Sequence, residues 1–159
     1  MKIKSGIGYD IHRLIEGRPL FLGGVEIPFA KGLLGHSDGD CLIHAIIDAL
    51  LGALGEKDIG SNFPEKDSRY KDIRSTQLLE EVIQRINRHT VKIAHIDSLI
   101  VAEEPRLAAF IPRMKEVLCS ILRIGPQDLG IKAKTNEGLD AVGRGEAIAA
   151  WATALIEIP

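Results

Sequence analysis

The sequence predicts an α+β sandwich, and three observations carry that prediction. Segments whose apolar residues recur at every second position mix along the chain with segments of helical period, so strands and helices do not segregate. The 159 residues match the size of one domain. With 45% hydrophobic and 26% charged residues, that length buries a core without needing disulfides.

The elements follow in order. Residues Ile3 to Asp10 read as a strand leading out to a site. Leu20–Leu22 and Val25–Ile27 flank Gly23-Gly24, a two-residue hairpin signal. Asp38 to Leu54 reads as a helix, with Ser37 as N-cap, Asp40 three residues on as in a capping box, and Gly55 as the stop. Gly60 to Asp72 is a loop carrying Asn62, Pro64, Asp67 and Ser68. Arg74 to Arg88 is amphipathic, with Leu78, Leu79, Val82, Ile83 and Ile86 as its apolar stripe. Val91 to Val101 reads as a strand, and Pro112 fits the first turn of a helix running to about Leu122. Gly130 to Thr135 is a short strand. The tail from Glu146 to Ile158 carries two patterns. Its alanines favour helix, while Ile148, Ala150, Ala152, Ala154, Ile156 and Ile158 alternate as on one strand face. No repeat or linker interrupts residues 1–159, which are expected to form a single domain.

The 20 basic and 22 acidic residues leave a formal charge of −2, so no global basic field exists to hold nucleic acid. The few aromatics are too scattered for a base-stacking platform. Eighteen apolar residues never run together, and the opening MKIKSGIGYDIH lacks a signal-peptide pattern. Cys41 and Cys119 lack CxxC spacing and read as free thiols. The expectation is a cytoplasmic bacterial protein, or its plastid-stroma equivalent, with neither membrane nor nucleic acid as partner.

The first third carries a candidate metal site. Asp10 and His12 lie two apart at a strand end and share a face. Asp40, His44 and Asp48 recur at spacing four on an otherwise apolar helix, where such groups are costly unless paired or metal-bound. Asp10, His12 and His44 offer one oxygen and two nitrogens with a fourth position open, the pattern of a catalytic zinc site. Asp40 or Asp48 can orient the second ring nitrogen of His44. The bland alternative is a surface turn beside a hydrogen-bonded core histidine.

Other polar clusters carry weaker signals. Gly35-His36-Ser37-Asp38-Gly39-Asp40 precedes a helix, where free N–H groups can seat a phosphate or where ordinary capping suffices. Lys132, Lys134, Thr135, Asn136 and Glu137, with Arg144 beyond, suit a diphosphate bridged by Mg²⁺, or else form a solvated charged loop. Glu103-Glu104-Pro105-Arg106 reads as surface charge and Asp58-Ile59-Gly60 as a turn. Neither GxSxG nor a P-loop occurs, and no serine or cysteine has a well-placed histidine, which disfavours a covalent mechanism.

These stretches resemble one family, the 2-C-methyl-D-erythritol 2,4-cyclodiphosphate synthases of non-mevalonate isoprenoid biosynthesis. The matching segments are Gly8 to His12, Gly32 to Asp40, Asp48 to Ala53, Asp58 to Gly60 with Phe63-Pro64, and Lys132 to Glu137 with Gly143 to Glu146. They run in the family order over nearly the whole chain. The resemblance implies a two-layer α+β sandwich with a mixed four-stranded sheet and helices on one face. It further implies a homotrimer with sheets around the threefold axis, the tail a strand with its alanines near that axis, and active sites between subunits. The implied reaction converts 4-diphosphocytidyl-2-C-methyl-D-erythritol 2-phosphate to the 2,4-cyclodiphosphate and releases CMP, which makes the chain a phosphorus–oxygen lyase.

Residue by residue, the resemblance makes Asp10, His12 and His44 ligands of Zn²⁺, and Glu137 the holder of Mg²⁺ or Mn²⁺ at the diphosphate. His36 and Thr135 match residues that position the phosphates. Asp10, His12, Ser37, Asp58, Ile59 and Gly60 match substrate contacts, and Phe63, Pro64, Glu65, Lys66 and Asp67 a mobile loop over the substrate. Ala102, Glu103, Glu104, Pro105, Arg106, Leu107 and Ala108 match the cytidine pocket, with Lys134, Asn136, Ala141 and Arg144 as further contacts. The sequence departs from the family pattern at Lys134, commonly threonine; at Asp140-Ala141, commonly Gly-Phe; and at Trp151, glutamate in some members. In some relatives a central cavity holds an isoprenoid diphosphate touched by the residue matching Arg144. Two other readings of the same residues are a phosphoesterase using zinc-bound hydroxide and a trimer with structural zinc. A fourth protein ligand would mark the latter.

Overall fold

In a computed structural model, which describes residues 1–88 and 90–159, helix α1 (Cys41–Leu54) is the centre of the molecule. Its side chains are buried almost all round, which is the position its composition demands. Asp40, not Ser37, is its N-cap. The Asp40 carboxylate accepts from the Ile43 N–H, so the helix begins three residues later than the sequence pattern indicates. Gly55 ends it in the left-handed conformation, as expected.

Helix α1 packs on strands β1 (Lys2–Glu16) and β7 (Ala147–Ile158), which pair antiparallel. Small residues make this approach possible. A Cβ on Gly6 would overlap the Ala49 carbonyl, and one on Gly8 the Ala45 carbonyl. Gly6 pairs with Ala154 and Gly8 with Ala152, so the floor beneath the helix is small on both strands. Ala150, Ala152 and Ala154 of the tail therefore face α1, while Ala147 and Ala149 lie on the opposite face with Val101 and Val142. The strand pattern wins over helix propensity in the tail because the close packing rewards it. Replacing Gly8 by alanine is expected to cost about 3 kcal/mol, since backbone meets backbone there. Denaturant unfolding checks this, and an unchanged midpoint would refute the packing account.

The sheet has five strands, not four, in the order β4-β1-β7-β5-β6. Strand β4 (Lys31–Leu33) is the addition; three residues are too short to show a period. It pairs with Leu14–Glu16 of β1, which extends beyond the expected end at Asp10. Strands β5 (Lys92–Val101) and β6 (Leu129–Lys134) run parallel, and helix α4 (Ile111–Leu122), with Pro112 in its first turn, makes the crossover between them. Strands β2 (Leu20–Leu22) and β3 (Val25–Ile27) form the expected hairpin. Helix α3 (Ser75–Arg88) packs on α1 through the predicted stripe. Two short helices, α2 (Ile59–Asn62) and α5 (Asp140–Gly143), lie in segments whose polarity shows no helical period.

On the other face of β1 and β7 the apolar side chains are uncovered. Ile7 is 70% exposed, and Ile3, Tyr9, Ile11, Trp151 and Leu155 join it. Tyr9 and Trp151 pair across the strands, their rings 4.6 Å apart. No helix among the described residues is long and apolar enough to cross a membrane.

Candidate active site

The packing of α1 on β1 builds the site. The two run in opposite directions, so Ala49 lies over Gly6 and Ala45 over Gly8. One step further brings His44 opposite Asp10. Asp10 and His12 continue the glycine side of β1, where side chains alternate by face. The three side chains converge. Asp10 Oδ2 lies 2.8 Å from His12 Nε2 and 2.9 Å from His44 Nδ1, and the two ring nitrogens are 3.2 Å apart.

Their chemistry fits a metal. The Leu34 carbonyl, 2.6 Å from His12 Nδ1, can only accept, so that nitrogen holds the proton and Nε2 turns its lone pair to the site. Three electron-pair donors packed this closely suit a cation among them. Burial tends to raise the pKa of Asp10, but the two imidazoles against it outweigh burial and hold the carboxyl well below the usual range. Burial tends to lower the pKa of His12, but Asp10 raises it overall. Among the described residues this is the one cluster of three or more such ligands, and it has no fourth. That matches an open rather than a closed site.

Neither Asp40 nor Asp48 orients His44. The wholly buried Asp40 carboxylate accepts from the backbone N–H groups of Gly23 at 3.0 Å and Gly24 at 2.8 Å, tying the hairpin to α1. Burial and the nearby Asp38 raise its pKa to about 6. Asp48 accepts from the Ile59 N–H at 2.7 Å and so anchors α2. The hydroxyls of Ser75 and Ser37 lie against His44 Nε2 instead. Buried Asp38 and Asp40 also bring negative charge to the start of α1, which argues against the phosphate seat that the sequence suggests there.

A cavity of about 150 Å³ opens over the trio. His36, Ser37, Ile59, Gly60, Phe63 and Glu65 border it. Asp58 caps α2 beside it, accepting from the Ser61 N–H. Phe63 is buried against Tyr70, whereas Pro64, Glu65 and Lys66 are exposed. The Asp67 carboxylate pairs with Arg69, and its carbonyl lies 3.5 Å from His36 Nε2. Tyr70 and Leu78 also line the cavity, although their sequence context reads only as loop and helix stripe.

The remaining candidates lie elsewhere. A second cavity of about 960 Å³ is lined by Glu103, Glu104, Pro105, Arg106, Thr135 and Arg144. Leu14 of β1 also lines it, as do Phe29, Ala30 and Lys31 of the β4 region that shows no sequence signal. The Asn136 N–H donates to Glu103, and the Ala102 N–H to the Lys134 carbonyl, holding the β5 and β6 ends together. Glu137 and Lys134 project into solvent at that strand end. Leu107 belongs to the core, Ala108 is exposed and Ala141 is half-buried. The two cavities share no lining residue.

The model of the YgbB family matches residues 3–157. The chain belongs to the YgbB family. A relative from Pelotomaculum thermopropionicum, 2-C-methyl-D-erythritol 2,4-cyclodiphosphate synthase, is 52% identical over 97% of this chain and 95% of its own length. Among solved structures, the bifunctional IspDF of Campylobacter jejuni superimposes with a TM-score of 0.94 at 34% identity, covering 99% of this chain and 43% of that one. The IspF–CDP complex of Plasmodium falciparum gives a TM-score of 0.85 at 34% identity, covering 99% and 96%. In this YgbB chain, Asp10, His12 and His44 thus meet in a fold shared by relatives of that name.

Proposed function

We propose that this chain converts 4-diphosphocytidyl-2-C-methyl-D-erythritol 2-phosphate to 2-C-methyl-D-erythritol 2,4-cyclodiphosphate, releasing CMP, in non-mevalonate isoprenoid biosynthesis. The observation that carries the reading is the convergence of Asp10, His12 and His44 in a chain that the family model spans almost end to end.

The substrate brings its own nucleophile. An oxygen of the 2-phosphate attacks the β-phosphorus, the bond from that phosphorus to the CMP oxygen breaks, and CMP leaves with the electron pair. No side chain forms a covalent bond, which accords with the lack of a nucleophile–base pair. Asp10, His12 and His44 would hold Zn²⁺, and Glu137 Mg²⁺ or Mn²⁺, supplying charge to stabilise the phosphates. His36 and Thr135 orient the phosphates, and Ser37, Asp58 and Gly60 the polyol. Glu103 to Arg106 and their neighbours receive the cytidine, and the CDP complex of the Plasmodium relative supports a cytidine nucleotide as ligand. Alignment of the reacting ends is the main contribution asked of the protein.

The active unit is a homotrimer. Two features support this: the uncovered apolar face of β1 and β7, and the division of the site residues between two cavities that share no wall. A neighbouring subunit would bring its Thr135–Glu137 end to this chain's metal ligands. Ile7→Glu is expected to sediment as a monomer and to lose activity, and a trimeric Ile7→Glu chain would place the interface elsewhere.

The function itself is tested by incubating the chain with the cytidyl substrate, Zn²⁺ and Mg²⁺ and following phosphorus NMR. A cyclic diphosphate and CMP are expected. Release of free phosphate instead would identify a phosphoesterase.

A further inference from the structure

The inward nitrogen of His44 meets a chain of buried groups that the proposed reaction does not use. His44 Nε2 lies 2.9 Å from Ser75 Oγ. Ser75 is fully buried, and its hydroxyl lies 2.5 Å from Asp38 Oδ1. Asp38 is 7% exposed. It also accepts from the backbone N–H groups of Asp40 and Ser75, at 3.1 and 3.0 Å, and from Arg74 Nε at 3.2 Å.

The proton positions follow from counting. Every partner of Asp38 is a donor, so its carboxylate only accepts. A hydroxyl has one proton, so Ser75 gives it to Asp38 and must accept from His44. That acceptance keeps a proton on His44 Nε2 and leaves the Nδ1 lone pair facing Asp10 and His12. Ser37 Oγ, 3.1 Å from the same nitrogen, has only the Gly39 N–H and the Ser75 hydroxyl as its other neighbours, so no carboxylate stands behind it.

We propose that Asp38 and Ser75 form a buried relay that fixes the tautomer and ring orientation of His44, and that both are positioning residues for the metal site. The inference rests on the metal reading given under Proposed function. The relay also spans two elements. Asp38 lies before α1 and grips the first N–H of α3, so the ring of His44 is oriented by the junction of both helices.

Ser75→Ala removes the hydroxyl and leaves Asp38 its other three donors. Zn²⁺ affinity is measured by competition with a chromophoric chelator, beside thermal unfolding of the metal-free chain and the visible spectrum of the Co²⁺-loaded chain. Ser75→Ala is expected to bind Zn²⁺ at least about tenfold more weakly and to alter the Co²⁺ spectrum, with metal-free unfolding close to that of the parent. Asp38→Asn is expected to weaken binding too. The double variant should lose no more than the weaker single one, because the two groups act in series. Additive losses, or a Ser75→Ala affinity within about twofold of the parent, would overturn the relay. A parent chain that binds no Zn²⁺ would overturn the metal reading together with the relay, whereas normal parent binding with an unaffected Ser75→Ala variant overturns the relay alone. Ser75→Ala decides by itself should Asp38→Asn fail to fold.

Discussion

His44→Ala abolishes turnover and empties the metal site while the fold persists; this is the largest single-residue effect expected. The substitution removes one of three donors and leaves Asp10 and His12 as a two-ligand remnant. A bound dication stabilises developing phosphate charge by several kcal/mol, so turnover should fall by about a thousandfold or more. The helix does not depend on the imidazole. Its neighbours Ile43, Ala45, Ile46 and Ile47 are completely buried and hold α1 against the sheet. Asp38 and Ser75 keep each other as partners. Metal content, sedimentation and phosphorus NMR on the same preparation check all three statements. Unchanged activity with unchanged zinc would remove His44 from the ligand set.

Two inactive variants should restore each other when mixed. The metal ligands line one cavity of a subunit, and Thr135 and Arg144 line another, with Glu137 at the same strand end. If each site takes its metal ligands from one subunit and its Glu137 from the next, His44→Ala and Glu137→Ala damage opposite halves. Homotrimers of either variant are expected to be nearly inactive. Trimers reassembled from an equal mixture regain about a quarter of wild-type sites, because each half is intact with even odds and the two odds multiply. The measurement is turnover after dissociating and reassociating the mixture, with each variant treated alone as the control. Activity no higher than that of the controls would place both halves of a site in one chain and end the intersubunit reading.

Much of this is legible in the sequence. The apolar stripe of α3, the Gly23-Gly24 hairpin and the Pro112 helix start lie where their periodicity and turn residues place them, because each signal is local. The pairing of Asp10 with His12 is legible for the same reason, since a two-residue step on a strand leaves little choice of face, whereas His44 joins them only through the polar stripe on its helix and the family resemblance. Other features had no local signal. Strand β4 is too short for a period, and the far half of β1 reads as polar because Asp10 and His12 occupy the side that faces the helix. Ser75 reads only as a helix start, and nothing in its neighbours points to His44, which lies 31 residues earlier.

From its sequence alone the chain owes its α+β class, its family and the identity of three donors able to share a metal. Tertiary structure decided which faces met. It turned Ala150, Ala152 and Ala154 toward α1, sent Asp40 and Asp48 to backbone N–H groups, and gave the second nitrogen of His44 to Ser75. The physical reason is that spacing governs only which side chains of one element point the same way. Which elements approach closely enough to touch depends on bulk at distant positions, and here on the missing Cβ atoms of Gly6 and Gly8.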